Sequence, residues 1–271
     1  MIRYSKKGYL IICLCNKTAK QMDVKITPES KVVAAHSVRC YEVDAAMRLK
    51  PAAFMDLAQE MAYAAAEAMR FGYEELMREN KAWVLSRMHF IFEDVPCWRD
   101  RIELQTWHKG PSGPFYIRDF RFLNEAGSTR IRATSSWVIL DVKERRMCRT
   151  SEVTEMIPES TVCREDAIAE QAGKVAVPRG ATAVEAGRHR VGYADVDLQG
   201  HTNNARYMVW AMDCIGYEEA ASRPVREVRI QFNHETLAGE EVVLYLFRDG
   251  DTCYVEGKVE DRQAFCARID F

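Results

Sequence analysis

The strongest constraint on this chain is that one strand is written into it twice. Ser86-Arg87-Met88-His89-Phe90-Ile91-Phe92-Glu93 in the first half is echoed by Val228-Arg229-Ile230-Gln231-Phe232-Asn233-His234-Glu235 in the second. Each copy is an apolar strand that closes on a glutamate. A repeat about one domain long points to two similar domains in tandem, not to a stack of short solenoid units. With 271 residues and 48% hydrophobic content, the chain carries enough apolar material for two modest cores or one large one.

The elements around the echo recur in the same order. Lys50 to Phe71 places Pro51 in a first helical turn and sets Phe54, Leu57, Met61, Ala65 and Ala68 at helical spacing, so one face is apolar. Strand-like runs follow at Val84 to Phe92, Arg101 to His108, Tyr116 to Leu123 and Ile131 to Leu140, divided by the turn-prone PCWRD, GPSGP and NEAGS. In the second half Arg190 to Asp195 reads as a strand and Asn204 to Ala221 as a helix. Strands follow around 226–233, 242–248, 252–259 and 264–270, with Arg248-Asp249-Gly250-Asp251 as a hairpin turn. The fold class is therefore α+β, a helix packed on an antiparallel meander, twice over. Residues 31–150 form the N-terminal repeat and 188–271 the C-terminal repeat. The linker, 151–187, is richer in Glu, Pro, Gly and Ala and is predicted to hold one short helix near Glu165 to Gly173. Residues 1–30 read as an N-terminal extension. Its apolar run, Tyr9 to Cys15, follows basic residues but falls far short of a membrane span and lacks a small-residue cleavage site.

Charge and cysteine usage narrow the function. Acidic and basic residues leave a formal net charge of -2, so no global field draws the chain to nucleic acid or to an anionic membrane. The nine cysteines show no CxxC pair and no zinc spacing, and Cys13 with Cys15 is too weak a signal for metal. They read as free thiols of a reducing cytoplasm, with no metal and no cofactor.

The densest group of polar side chains is Asp197 to Tyr207, DLQGHTNNARY, at the start of an apolar helical run. Three further stretches accompany it: WVLSRMHFIFEDVPCWRDRIELQTW at 83–107, the Arg118-Asp119 step, and SSWVILD at 135–141. In these motifs and their order the chain resembles the acyl-carrier-protein thioesterases of plant plastids and bacteria, over roughly Val32 to the C-terminus. The resemblance implies a tandem hotdog fold, each repeat a long helix wrapped by antiparallel sheet. It also implies hydrolysis of acyl-acyl carrier protein to free fatty acid, which ends fatty acid synthesis. The second repeat would carry the chemistry and the first would hold the acyl chain. The family pattern, Asp-x-Asn-x-His-x-Asn-Asn-x-x-Tyr with a later strand-end Glu, falls on Asp197, Gln199, His201, Asn203, Asn204, Tyr207 and Glu235. Gln199 replaces the usual Asn. Thr236 stands where plant members often have Cys, so no thiolate nucleophile is available there.

Thioester hydrolysis needs a nucleophile or activated water, a stabilised oxyanion and a proton for the leaving thiol. Asp197 and His201 are expected to flank the thioester, Glu235 to position water or tune the histidine, and Gln199 to orient through its amide. Unpaired N–H groups at the helix start suit a polarised carbonyl. Asn203 and Asn204 are the expected substrate contacts there, although either one alone reads as an N-cap. Before the first helix stands Val43-Asp44-Ala45-Ala46-Met47, without the histidine or the paired Asn, so the first repeat reads as chemically silent. Asp195, His89 and His234 read as structural. Phe54, Met55, Met61, Ala62 and Ala65 are the expected acyl-chain residues. Lys143, Arg145, Arg146 and Arg149 in KERRMCR, joined by Arg130 and Arg132, are the expected dock for a small acidic carrier. Two rival readings are an acyl-coenzyme A thioesterase of the same fold and a non-hydrolytic acyl-carrier binding module. Two repeats in one chain imitate a dimer of single repeats, and this is compatible with a monomer or a homodimer.

Overall fold

The computed structural model describes residues 2–4, 10–12 and 22–271. β1 (Ile2–Tyr4) pairs antiparallel with β2 (Leu10–Ile12). The rest of the apolar run at 9–15, with Cys13 and Cys15, lies outside the described residues. Twelve further strands form one antiparallel sheet. The first half supplies β3 (Lys25–Ile26), β4 (Val32–Ser37), β5 (Lys81–Phe92), β6 (Arg101–Ser112), β7 (Phe115–Asn124), β8 (Thr129–Asp141) and β9 (Arg146–Met147). The second supplies β10 (Val184–Arg190), β11 (Glu227–Phe232), β12 (Glu241–Asp249), β13 (Thr252–Val259) and β14 (Arg262–Asp270). The helices are α1 (Pro51–Ala68), α2 (Tyr73–Arg78), α3 (Asn204–Ile215) and α4 (Tyr217–Ser222).

Across the sheet the order is β10-β12-β13-β14-β11-β5-β8-β7-β6-β4-β3, with β9 on β8. Read outward from the β5–β11 pair, both halves run through equivalent strands in the same sequence. Register explains why. Met88 pairs with Ile230, Arg87 with Gln231 and His89 with Arg229. In the sequence echo Met88 corresponds to Ile230 (230 − 88 = 142), Arg87 to Arg229 and His89 to Gln231. Arg87 thus faces the echo of His89 and His89 the echo of Arg87, which is the reciprocal rule of an isologous two-fold contact. A local dyad passes between Met88 and Ile230.

Alternation along the two strands points Met88, Phe90, Val228 and Ile230 into the core, where all four are buried. α1 and α3 contact one another and cover this inner face. Phe54 of α1 stacks on Phe90 at 4.6 Å, and Tyr207 of α3 lies 5.8 Å from Phe232, the echo of Phe90. One aromatic on each helix therefore meets one on each central strand.

The linker departs from its expected form. It holds three short 3-10 turns, Thr150–Glu152, Thr154–Met156 and Glu159–Thr161, and no helix near Glu165 to Gly173. Its backbone is held by the sheet instead of by itself. Trp107 Nε1 donates to Glu165 O at 2.8 Å, Ala167 N–H to Asp119 at 2.8 Å and Val175 N–H to Gln231 at 3.0 Å. Asp119 thus helps pin the linker, which crosses the outer face of the sheet to reach β10 on the far edge. Two other boundaries shift. β10 ends at Arg190, because Asp195 accepts the Gly192 N–H at 2.7 Å and folds 193–195 into a 3-10 turn. The expected helix at 204–221 breaks at Gly216, whose φ of 97° suits glycine, and α4 restarts beyond it.

Ile230→Ala should cost about 2–5 kcal/mol, because a fully buried side chain at the dyad leaves a cavity under two strands at once. Urea denaturation followed by circular dichroism checks this, and a loss below that of an exposed-site control would place the structural centre elsewhere.

Candidate active site

The segment before each helix folds into the same turn. A bridge between Val43 and Leu49 closes the first and one between Val196 and Thr202 the second, an offset of 153 (196 − 43 and 202 − 49). Asp44 N–H donates to Arg48 O at 2.8 Å, as Asp197 N–H does to His201 O at 3.0 Å. The side chain of Asp44 accepts the Ala46 N–H at 2.9 Å, and that of Asp197 the Gln199 N–H at 2.8 Å. The fourth position is left-handed in both, Met47 at φ 63° and Gly200 at φ 86°. The glycine of the Gly-His step is therefore the residue this turn favours.

The repeats part at the fifth position. Arg48 pairs with Asp44 at 2.8 Å and donates to Ala220 O and Ala221 O, at 3.2 and 2.9 Å, near the end of α4. A strut between repeats occupies the place that His201 holds in the second turn. Upstream the parallel continues. His189 Nε2 lies 2.9 Å from Asp195, and His36 Nε2 lies 2.8 Å from Glu42. Since the first repeat also has this pair, it belongs to the frame. Burial opposes ionisation of Asp195, but the hydrogen bonds from His189 and Gly192 outweigh it and hold the carboxyl below its usual range. Asp195 O accepts the Asn203 N–H at 2.8 Å, so the frame also seats the helix start.

His201 Nε2 lies 3.3 Å from Glu235 Oε2. Their side chains are 39% and 50% exposed, open enough for water and substrate to reach. Behind them three buried hydroxyls lock the two segments together. Thr202 Oγ1 and Thr236 Oγ1 are 2.7 Å apart, and Tyr207 OH lies 2.9 Å from Thr236 Oγ1. Thr202 N–H donates to Thr236 O at 3.0 Å, and Thr236 N–H to Tyr207 OH at 3.1 Å. Each residue of the lock neighbours the pair or stands on α3, so His201 and Glu235 are held at a fixed separation. Burial pushes the Tyr207 phenol up. Sequence reasoning placed Tyr207 in the motif without a role and noted Thr236 only as a missing cysteine. The visible signal was that both touching positions, 202 and 236, are threonine.

α3 begins at this site. Asn203 is its N-cap and accepts the Ala205 N–H at 2.8 Å, so the capping reading holds for it. Asn204 opens the first turn and faces a nearly closed cleft of about 10 Å³ shared with Met55, Ala58, Leu85, Met88 and Trp137. Arg206 reaches Asp56 of α1 at 3.3 Å and ties the helices across the repeats. Burial raises the Asp56 pKa, with Arg206 opposing it. Gln199 sits exposed at the tip of the turn, joined to Asp197 through its main chain.

Of the expected acyl-chain residues, Met55 lines the cleft. Ala62 and Ala65 lie further along the same helical stripe as Met55 and Ala58, and both are buried. Phe54 and Met61 turn toward the sheet instead, Phe54 into a cluster with Phe90 and Phe122. The expected carrier dock divides. Lys143, Arg145, Arg146 and Arg149 are exposed around the β8–β9 turn, where Arg146 pairs with Glu152 at 2.9 Å. Arg130 and Arg132 lie near the opposite end of β8, about 30 Å away at strand rise, and are engaged by Asp94, Asp100 and Glu93. They are not part of that patch.

Comparison with known proteins agrees with this architecture. The acyl-ACP thioesterase N-terminal domain matches residues 29–157 and the acyl-ACP thioesterase C-terminal domain matches 181–263. A chloroplastic palmitoyl-acyl carrier protein thioesterase of Gossypium hirsutum is 25% identical over 217 residues, covering 77% of this chain and 52% of its own. A chloroplastic oleoyl-acyl carrier protein thioesterase of Coriandrum sativum is 25% identical over 215 residues, covering 73% and 57%. The chain spans about half the length of the curated relatives it matches. Among solved structures, an acyl-ACP thioesterase from Bacteroides thetaiotaomicron superposes with a TM-score of 0.79 at 20% identity, covering 89% of this chain and 98% of its own. The 12:0-ACP thioesterase from Umbellularia californica gives 0.72 at 19% identity, with 89% and 96% covered. These superpositions establish the tandem hotdog fold. With both family domains matched in order, the chain belongs to the acyl-ACP thioesterase family.

Proposed function

We propose that this protein hydrolyses the thioester between a fatty acyl group and acyl carrier protein, releasing the free acid. The observation that carries this reading is the His201–Glu235 pair at the start of α3, beside an apolar cleft built largely by the first repeat. A thioester carbonyl at Asn204 would lie at the positive end of the helix, where backbone N–H groups favour the developing oxyanion. Water, polarised by Asp197 or by His201 with Glu235, adds to the carbonyl carbon. The C–S bond then breaks, and the proton taken from water passes to the leaving thiolate through His201. Glu235 supports the imidazolium formed in between.

The acyl chain would run from Asn204 along the Met55, Ala58, Ala62 and Ala65 stripe of α1. Lys143, Arg145 and Arg149 remain the candidate contacts with an acidic carrier, whereas Arg146 already has Glu152 as a partner. The seven described cysteines are free thiols, which fits a reducing compartment such as the cytoplasm. No described helix is long and apolar enough to cross a membrane.

Asp197→Asn separates chemistry from turn geometry, because the amide oxygen can still accept the Gln199 N–H. It should lower kcat by about a hundredfold or more while the melting temperature stays within a few degrees of wild type. Full turnover would assign Asp197 to the frame, as Asp44 is. Single turnover in ¹⁸O-labelled water then asks whether label enters the enzyme carboxylates, as direct attack by Asp197 requires. Tyr207→Phe should cost about 1–3 kcal/mol, because the buried Thr236 N–H loses its acceptor, and kcat should fall with KM little changed. Ala62→Leu and Ala65→Leu should shift released acids toward shorter chains in a bacterial expression host. An unchanged chain-length profile for both would move the acyl site elsewhere.

A further inference from the structure

The sheet opens beside the candidate site. Toward the site, the β5–β11 register stops at the Arg87–Gln231 couple. Beyond Arg87, β5 continues to Lys81 bonded to β8, with a bulge between Leu85 and Arg87. The other chain stays with β14: the N–H groups of Asn233 and His234 both donate to Ala264 O, at 2.8 and 3.2 Å. The two strands therefore diverge, leaving a gap between Leu85–Ser86 on one side and the segment 233–235 on the other. Inside the gap lie Leu85, Met88 and Asn204 of the apolar cleft.

On the outer face, at the same gap, lies an open cleft of about 520 Å³. Its lining includes Arg87, Lys174 and His234 with the amide side chains of Gln231, Asn233 and Gln263, and it contains no carboxylate. The site is built, not accidental. Arg87 alternates with the inward Met88 and lies over the Phe115 ring at 4.9 Å. The main chain at Lys174 is held by its neighbour Val175, whose N–H bonds Gln231 and whose side chain is buried with Tyr254 and Cys266. His234 and Glu235 are consecutive, so the outer cleft and the candidate site share one strand end.

We propose that this outer cleft receives the phosphodiester of a phosphopantetheine arm, whose thioester end passes between the diverging strands to His201 and Glu235. An anionic tetrahedral group suits the two cations Arg87 and Lys174, and Arg is well matched to phosphate oxygens. A basic cleft outside and an apolar one inside give the arm a polar-to-apolar path. The linker supplies Lys174 and thereby becomes part of the substrate site. This inference rests on the thioesterase reading, from which the arm's chemistry follows.

The test uses one acyl group on three carriers: the carrier protein, coenzyme A, and pantetheine without its phosphate. Arg87→Gln and Lys174→Gln, singly and together, are compared with wild type. The ratio of kcat/KM for each phosphorylated substrate to that for the pantetheine thioester should fall about tenfold in the double variant, through KM, as loss of charge-assisted contacts predicts. Equal losses on all three substrates, or no loss, overturn the proposal. A loss confined to the carrier protein also overturns it, since that marks a protein surface contact and not a phosphate site. Calorimetric titration with coenzyme A decides the cleft independently of turnover: a Kd raised at least about fivefold in the double variant supports it, and an equal Kd overturns it. If the wild-type protein binds coenzyme A in this way but cleaves none of the three thioesters, the hydrolase reading fails while the cleft assignment stands.

Discussion

The antiparallel pairing of β5 with β11 is the contact on which the rest depends. It joins two half-sheets into one and sets their register so that Met88 and Ile230 straddle a local dyad. Neighbouring strands in one sheet bring the two helices beneath them into contact, so α1 and α3 meet. That meeting places Asp56 beside Arg206 and Met55 beside Asn204. A site needing apolar lining from one repeat and polar groups from the other can exist only where the repeats touch. The pairing also ends early, at Arg87 and Gln231, and the two strands diverge beyond it.

Within this two-fold frame the repeats use the same turn for different ends. The Asx contact, the left-handed fourth residue and the histidine–carboxylate support upstream occur in both. What differs is one side chain at the fifth position. Arg48 is long enough to reach the α4 carbonyls and is consumed by them; His201 is shorter and stops at Glu235. Glu93, the echo of Glu235, is correspondingly bound to Arg132. The first half thus serves as an internal reference. Groups present in both copies hold the turn, and groups present only in the second are free for chemistry. By this standard His201 and Asn204 stand out, while Asp197 has an obligation to the turn in addition to any reactive role.

The duplication was legible because strand echoes preserve alternation and end on a fixed glutamate. A repeat that pairs with itself leaves little choice of register. The turn and the α3 N-cap were legible for a local reason, since their hydrogen bonds span only a few residues. Three features were not. The Thr202–Tyr207–Thr236 lock joins positions 29 to 34 residues apart through hydroxyls that leave no periodic trace. The linker looked helical near Ala167 because its composition allows a helix, but Asp119 and Gln231 take the backbone N–H groups from distant strands. Clustered arginines suggested one basic patch. Their ion partners and the length of β8 decide that they form two separate groups, and neither property is visible in local sequence.

The interior of the cleft carries the last physical consequence. At about 10 Å³ it is closed around side chains that include Met55 and Met88, both unbranched and able to change rotamer at small cost. Phe54, by contrast, is wedged among Phe90, Phe92 and Phe122 and cannot move without disturbing the core at the dyad. An acyl chain entering at Asn204 would therefore displace methionines first and extend along the alanine stripe until it meets rigid packing. The depth of that path would be set by small side chains on one face of α1. The positions of the reacting groups are set separately, by the hydroxyl lock under α3. On the proposed reading, chain-length preference and chemistry would rest on different repeats and could vary independently, a division that two identical copies of a single repeat would not permit.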